Sequence, residues 1–112
     1  MNKKFHIKLT KDFFMRDGIR WLLKIPGGAF FVNLYLEMLT VAVNSNGHLT
    51  SSADSRIMIM FEDELAVDFG VSLETMVLAV KLFREHGLLE VKGKGDYFLK
   101  DAVDLRHEDE DN

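Results

Sequence analysis

Apolar positions repeat every second residue at the start of the chain and every third or fourth residue over most of the rest. Phe5, Ile7 and Leu9 alternate with His6, Lys8 and Thr10, which predicts a half-buried strand. Asp12-Phe13-Phe14 predicts a turn carrying two core anchors. From Gly18 the spacing of Ile19, Leu22 and Leu23 predicts a short helix with Arg20 and Lys24 on its wet side. Pro26-Gly27-Gly28 ends that helix, since proline cannot continue the hydrogen-bond ladder and glycine can reverse the chain. From Ala29 to about Asn44 the chain is apolar on nearly every side, the pattern of a central, buried helix. Asn44-Ser45-Asn46-Gly47 predicts a turn, His48-Leu49-Thr50 a short strand, and Ser51 to Ser55 a polar loop. Ile57 to Met60 fits either a strand or the lead-in to the next helix.

The stretch from Phe61 to Lys100 is the most specific. Phe61, Leu65 and Phe69 stack at four-residue spacing, which predicts a helix over Phe61 to Phe69 with Gly70 as its left-handed cap. Ser72 is placed to cap a second helix that runs to His86 and is closed by Gly87. Leu88 then opens a hairpin to Lys100, whose Gly93-Lys94-Gly95-Asp96 tip permits positive φ angles. Helix, tight turn, helix and basic hairpin is the order of a winged helix-turn-helix, so the predicted class is α+β, mainly helical, with a small β-hairpin wing. Residues 1–103 form one such domain. Residues 104–112, which hold five acids against Arg106, are expected to be a disordered acidic tail.

Charge sharpens that prediction. The formal net charge is −4, which counts against binding a polyanion until its location is considered. The last nine residues carry all of it, and the body is neutral. In the first 24 residues, seven bases face two acids, Asp12 and Asp17, leaving +5. The hairpin adds Lys92, Lys94 and Lys100 against Glu90 and Asp96, while Glu62 to Asp68 is acidic. Such polarity supports phosphate contact at low overall pI.

On a helical wheel of the second helix, Leu73, Met76, Val80 and Phe83 share the core stripe. Glu74, Lys81 and Glu85 lie opposite, with Arg84 at one edge and Thr75 beside Leu78 and Leu82 at the other. Thr75, Lys81 and Arg84 are therefore the candidates to meet base edges or phosphates. Lys92, Lys94 and Lys100 would lie along the backbone, and Lys8 and Lys11 would add N-terminal phosphate contacts. A merely solvated face, with Lys81 and Glu85 paired at four-residue spacing, is the plainer alternative. Leu78 and Leu82, apolar and outside the stripe, are candidates for a seam between two copies.

Nothing in the sequence resembles a catalytic constellation. His6, His48, His86 and His107 lie in separate elements, no cysteine is present, and Ser51, Ser52 and Ser55 lack a nucleophile-elbow context. Gly93-Lys94-Gly95 lacks the strand-loop-helix surroundings of a nucleotide loop. The expectation is a non-enzyme without cofactor or metal. With no leader and no apolar run long enough to cross a bilayer, it is expected to be cytoplasmic.

The blocks Phe5-His6-Ile7-Lys8-Leu9, Asp12-Phe13-Phe14, Ile19 to Lys24 and Ile25-Pro26-Gly27-Gly28, with a greasy helix ending in Asn46-Gly47, form a recognisable opening. Together with Leu78-Ala79-Val80-Lys81-Leu82-Phe83 and Gly87-Leu88-Leu89-Glu90-Val91 they resemble the N-terminal domain of phage replisome organisers, over roughly Phe5 to Lys100. The resemblance implies a winged helix of phage or prophage origin that binds double-stranded origin DNA in replication initiation. It also implies replication proteins as partners and kinship with DnaD-type initiation proteins, whose N-terminal winged helices self-associate. A winged-helix protein-interaction or dimerisation module and a phage transcriptional regulator are the alternative functions.

Overall fold

The computed structural model describes residues 4–52 and 60–108. The order is β1 (Phe5–Ile7), α1 (Lys11–Met15), α2 (Asp17–Lys24), α3 (Gly28–Ala42), a 3-10 turn (Val43–Ser45), β2 (His48–Thr50), α4 (Phe61–Phe69), α5 (Leu73–Glu85), β3 (Glu90–Gly93), β4 (Asp96–Phe98), α6 (Lys100–Asp104) and β5 (Arg106–Glu108). The fold is α+β and mainly helical, with two small antiparallel sheets. One is a ribbon of β1 and β5; the other has three strands in the order β2-β4-β3.

Local chemistry explains the helix ends. Gly27 takes φ +72 where Pro26 has broken α2, and Gly28 begins α3 against the end of α2. A Cβ at Gly28 would stand 1.7 Å from the Leu22 carbonyl oxygen, so only glycine lets the two helices meet there. At the end of α5, Gly87 takes φ +70; its N–H donates to the Arg84 carbonyl, and the Leu88 N–H donates to the Phe83 carbonyl at 2.8 Å. Gly70 closes α4 in the same way, with Val71 N–H donating to Ala66. Both chain reversals therefore leave few orphan carbonyls. Ser72 caps α5 as expected, its Oγ accepting from the Thr75 N–H at 3.1 Å.

The core lies around α3, which buries Phe31, Val32, Leu34, Tyr35, Met38, Leu39 and Ala42. The Tyr35 ring is tilted 58° to that of Phe83 of α5, centroids 5.2 Å apart, and lies parallel to that of Phe13 of α1 at 6.4 Å. The helix is not buried all round, because Phe30 and Val41 face out. Among the described residues one charged side chain is buried, that of Asp101. Asp101 accepts from Arg16 Nη1 at 2.5 Å through Oδ1, and from the Tyr35 hydroxyl at 2.6 Å through Oδ2. The same hydroxyl lies 3.1 Å from the Leu88 carbonyl. Burial first, and the adjacent Asp101 carboxylate second, push the Tyr35 phenol well above its ordinary range, so it stays a donor at any physiological pH.

Several expectations are corrected. Asp12 to Phe14 lies within a helical turn, α1, and only Phe13 is an anchor there, since Phe14 is exposed. Leu9 lies beyond β1 and is exposed. The hairpin closes at Phe98, so Lys100 is the first residue of α6 and not part of the hairpin. The expected tail starts too early: Asp104 ends α6, and Arg106–Glu108 pair with Phe5–Ile7 in β5. The strand forms because its backbone groups find the open edge of β1, which outweighs the local acidity. The expectations for 53–59, and for the tail over 109–112, lie outside the described residues.

Two outcomes test this account. Gly28→Ala should cost about 3 kcal/mol by overpacking, whereas Gly27→Ala, where a Cβ meets nothing within 4 Å, should cost only about 1 kcal/mol of left-handed strain; paired urea melts separate them. Asp101→Asn should lower stability by about 2–3 kcal/mol and Tyr35→Phe by about 1–2 kcal/mol, with clearly less than additive loss in the double variant because both remove the same contact.

Candidate nucleic-acid interface

The candidate interface is built from α5, the hairpin behind it and the N-terminal helices beside it. Ser72 fixes the start of α5, and its hydroxyl also donates to Thr75 Oγ1 at 2.8 Å. Thr75 is half-buried and engaged in the cap, which leaves Lys81 and Arg84 as the exposed cations of the helix. Glu74 and Glu85 share that outward side. The exposed arc also contains Leu73, Val77 and Leu78 at its N-terminal end, so the face is apolar at one end and charged at the other.

Two apolar assignments on α5 change. Leu82 is 9% exposed and belongs to the core: α5 packs along α4 and also meets Tyr35 of α3 through Phe83, so its buried arc is wider than a single stripe. Leu73, assigned to the core, is 39% exposed because it opens the helix before that arc begins at Met76. Of the proposed seam only Leu78, 46% exposed, remains at the surface.

The hairpin tip is Lys94-Gly95, between the paired residues Gly93 and Asp96. Gly95 takes φ +74, and its carbonyl accepts from Ser51 N–H at 2.8 Å, which ties the tip to the end of β2. Lys94 projects into solvent there. Lys92 sits at the register shift before the tip, and its ammonium is already engaged. It lies 2.7 Å from Glu90 Oε2 and 5.5 Å from the centre of the Phe98 ring. That hydrogen bond and the ammonium charge hold the Glu90 carboxyl below its usual range, with a smaller contribution from Lys100. Lys100 is exposed and 4.0 Å from Asp104. Lys8 and Lys11 are exposed at the exit of β1 and the start of α1; the Lys8 N–H donates to the Leu105 carbonyl. Lys81 and Arg84 thus lie on α5, Lys92 and Lys94 on the hairpin, Lys100 at the start of α6, and Lys8 and Lys11 at the exit of β1 and the start of α1.

The acids that would repel phosphates are partly occupied. Glu62 accepts from the Tyr97 hydroxyl, a contact that, after burial, raises the Tyr97 phenol. Glu64 Oε1 accepts from Ser52 N–H and Oγ at 2.8 and 2.7 Å, so the acidic first turn of α4 holds the three-stranded sheet in place. Asp96 lies 2.7 Å from His48 Nδ1. His6 and His107 meet across β1 and β5 at 4.9 Å. Among the described residues no group of three or more His, Cys, Asp or Glu is placed to hold a metal, and no helix is long and apolar enough to cross a membrane.

Two contacts escape sequence reasoning. The triad of Arg16, Tyr35 and Asp101 spans 85 positions and carries no local pattern. Trp21 rests on His86, ring centroids 4.0 Å apart; a tryptophan beside Arg20 and Lys24 on a wet face was the available signal.

Comparison with known proteins agrees with the resemblance seen in the sequence. No curated protein and no solved structure matches the chain. The model of the N-terminal phage replisome organiser family matches residues 6–112, from β1 through the β5 ribbon and beyond. The chain belongs to that family, which gives it a role in phage replication.

Proposed function

We propose that this chain is a winged-helix domain that binds double-stranded DNA, without catalysis, in the cytoplasm during initiation of phage or prophage replication. The observation that carries the reading is topological. The order α3-β2-α4-α5-β3-β4 with sheet order β2-β4-β3 leaves the outward face of α5 and the Lys94 tip on contiguous elements. In that geometry α5 enters the major groove and the hairpin follows the backbone. Lys81 and Arg84 make no ion pair among the described residues and are available to base edges or phosphates, while Lys94 meets a phosphate. Lys92 and Lys100 take part only by exchanging Glu90 and Asp104 for phosphate, an exchange between charged partners that returns little energy in water.

Binding of this kind depends on released counterions. With roughly six phosphates neutralised, the log–log salt slope measured by fluorescence anisotropy on a duplex should be about −5. The variant Lys81→Glu/Arg84→Glu/Lys94→Glu should lose duplex binding and flatten the slope. A parent protein whose affinity ignores salt ends the reading.

A second reading, a self-association module, is favoured by the exposed Leu73, Val77 and Leu78 on α5. It predicts a dimer in light scattering that Leu78→Asp converts to a folded monomer. A parent protein that is monomeric at high concentration rejects it.

A further inference from the structure

The outward face of α2 carries an exposed tryptophan together with two cations. At about 100° per residue, Arg20, Lys24, Asp17 and Trp21 fall within one arc of roughly 100°, opposite the buried Ile19 and Leu22. Trp21 is the chain's single tryptophan and is 41% exposed. It is not loose. Its indole lies against the His86 imidazole at 4.0 Å with 32° between the planes. His86 is itself fixed as the C-cap of α5, and α2 backs closely onto it. A Cβ on Gly18 would stand 3.2 Å from the His86 carbonyl oxygen and 3.4 Å from its Cβ. One side of the indole thus rests on His86, where α2 and α5 approach closely, and 41% of the residue stays open to water.

A ring held in one orientation loses little freedom when a second ring stacks on it. Arg20 and Lys24 add positive charge on the same face. The acid on this face of α2 is Asp17, which lies at the helix N-terminus, where the helix dipole compensates it. An aromatic platform flanked by cations matches a polyanion that also presents flat rings. A duplex hides its base faces within the stack; an unpaired strand offers them. An apolar protein surface would cover the indole but leave Arg20 and Lys24 without counter-charges.

We propose that Trp21, Arg20 and Lys24 form a single-stranded nucleic-acid site, in which an unpaired base stacks on the open side of Trp21 and adjacent phosphates are held by Arg20 and Lys24. The site uses different side chains from the duplex reading and does not rest on it.

Because Trp21 is the only tryptophan, its emission reports the contact directly. Titration of the full chain with oligo(dT) of about ten nucleotides, a length within the range such sites cover, should quench that emission saturably. Trp21→Ala should weaken binding of a labelled oligo(dT) about tenfold by anisotropy, and Trp21→Phe should recover most of it, with thermal melts verifying the fold of each variant. The Lys81→Glu/Arg84→Glu/Lys94→Glu variant, which tests the duplex reading, should still show the quenching. The proposal is overturned by emission that stays constant through saturating oligo(dT), or by a folded Trp21→Ala variant that binds as tightly as the parent. Equal quenching by polyglutamate also overturns it, since polyglutamate has charge but no bases.

Discussion

A buried carboxylate is the constraint on which the rest of the molecule depends. Asp101 is 6% exposed, and its two oxygens serve different parts of the chain. One takes the guanidinium of Arg16, at the junction of α1 and α2; the other takes the hydroxyl of Tyr35, in the middle of α3. Through the same hydroxyl the contact reaches the Leu88 carbonyl, just past the turn that ends α5. Four segments far apart in sequence are therefore tied at a single point. A carboxylate taken out of water without these partners would be strongly destabilising, so the segments are stable only together. The position of α5 relative to the N-terminal helices follows from this tie and from the close approach of Gly18 to His86.

That tie also shapes the surface charge. The N-terminal excess of bases is reduced by one, because Arg16 is turned inward to Asp101. In the hairpin, Lys92 is held by Glu90 and the Phe98 ring. Among the acids, Glu62 and Glu64 are drawn to Tyr97 and Ser52, where they join α4 to the three-stranded sheet. Exposed cations among the described residues include Arg20 and Lys24 of α2, Lys81 and Arg84 of α5 and Lys94 of the hairpin, together with Lys8, Lys11 and Lys100. Internal contacts thus occupy acids and bases unevenly, which is the condition a locally basic face needs on a chain acidic in total.

The outward face of α5 bears on two proposed uses. Its C-terminal half, with Lys81 and Arg84, suits a polyanion; its N-terminal half, with Leu73, Val77 and Leu78, suits an apolar partner. The two are compatible if a pair of domains meets through the apolar end and leaves the charged ends outward. Closed symmetric pairs present the same surface twice, which multiplies contacts to a duplex without any new chemistry.

The amino-acid order alone determined the local elements wherever a short-range rule applied. Spacing of Phe61, Leu65 and Phe69 placed α4 to the residue, glycines at 70 and 87 marked its cap and the close of α5, Ser72 marked the start of α5, and Pro26-Gly27-Gly28 separated α2 from α3. Each of these is decided within one or two helical turns, so a single sequence contains the whole cause. The family could be recognised for the same reason, since its blocks are short and contiguous. Tertiary structure decided everything that depends on partners distant in the chain. It buried Leu82 by bringing two helices against α5, turned Arg16 inward and gave Lys92 to Glu90. It also made a strand of Arg106–Glu108 by offering them the edge of β1. Trp21 became a fixed platform only because His86, 65 positions later, arrives beneath it. Burial and electrostatic pairing are properties of the assembled surface, and periodicity along one helix does not contain them.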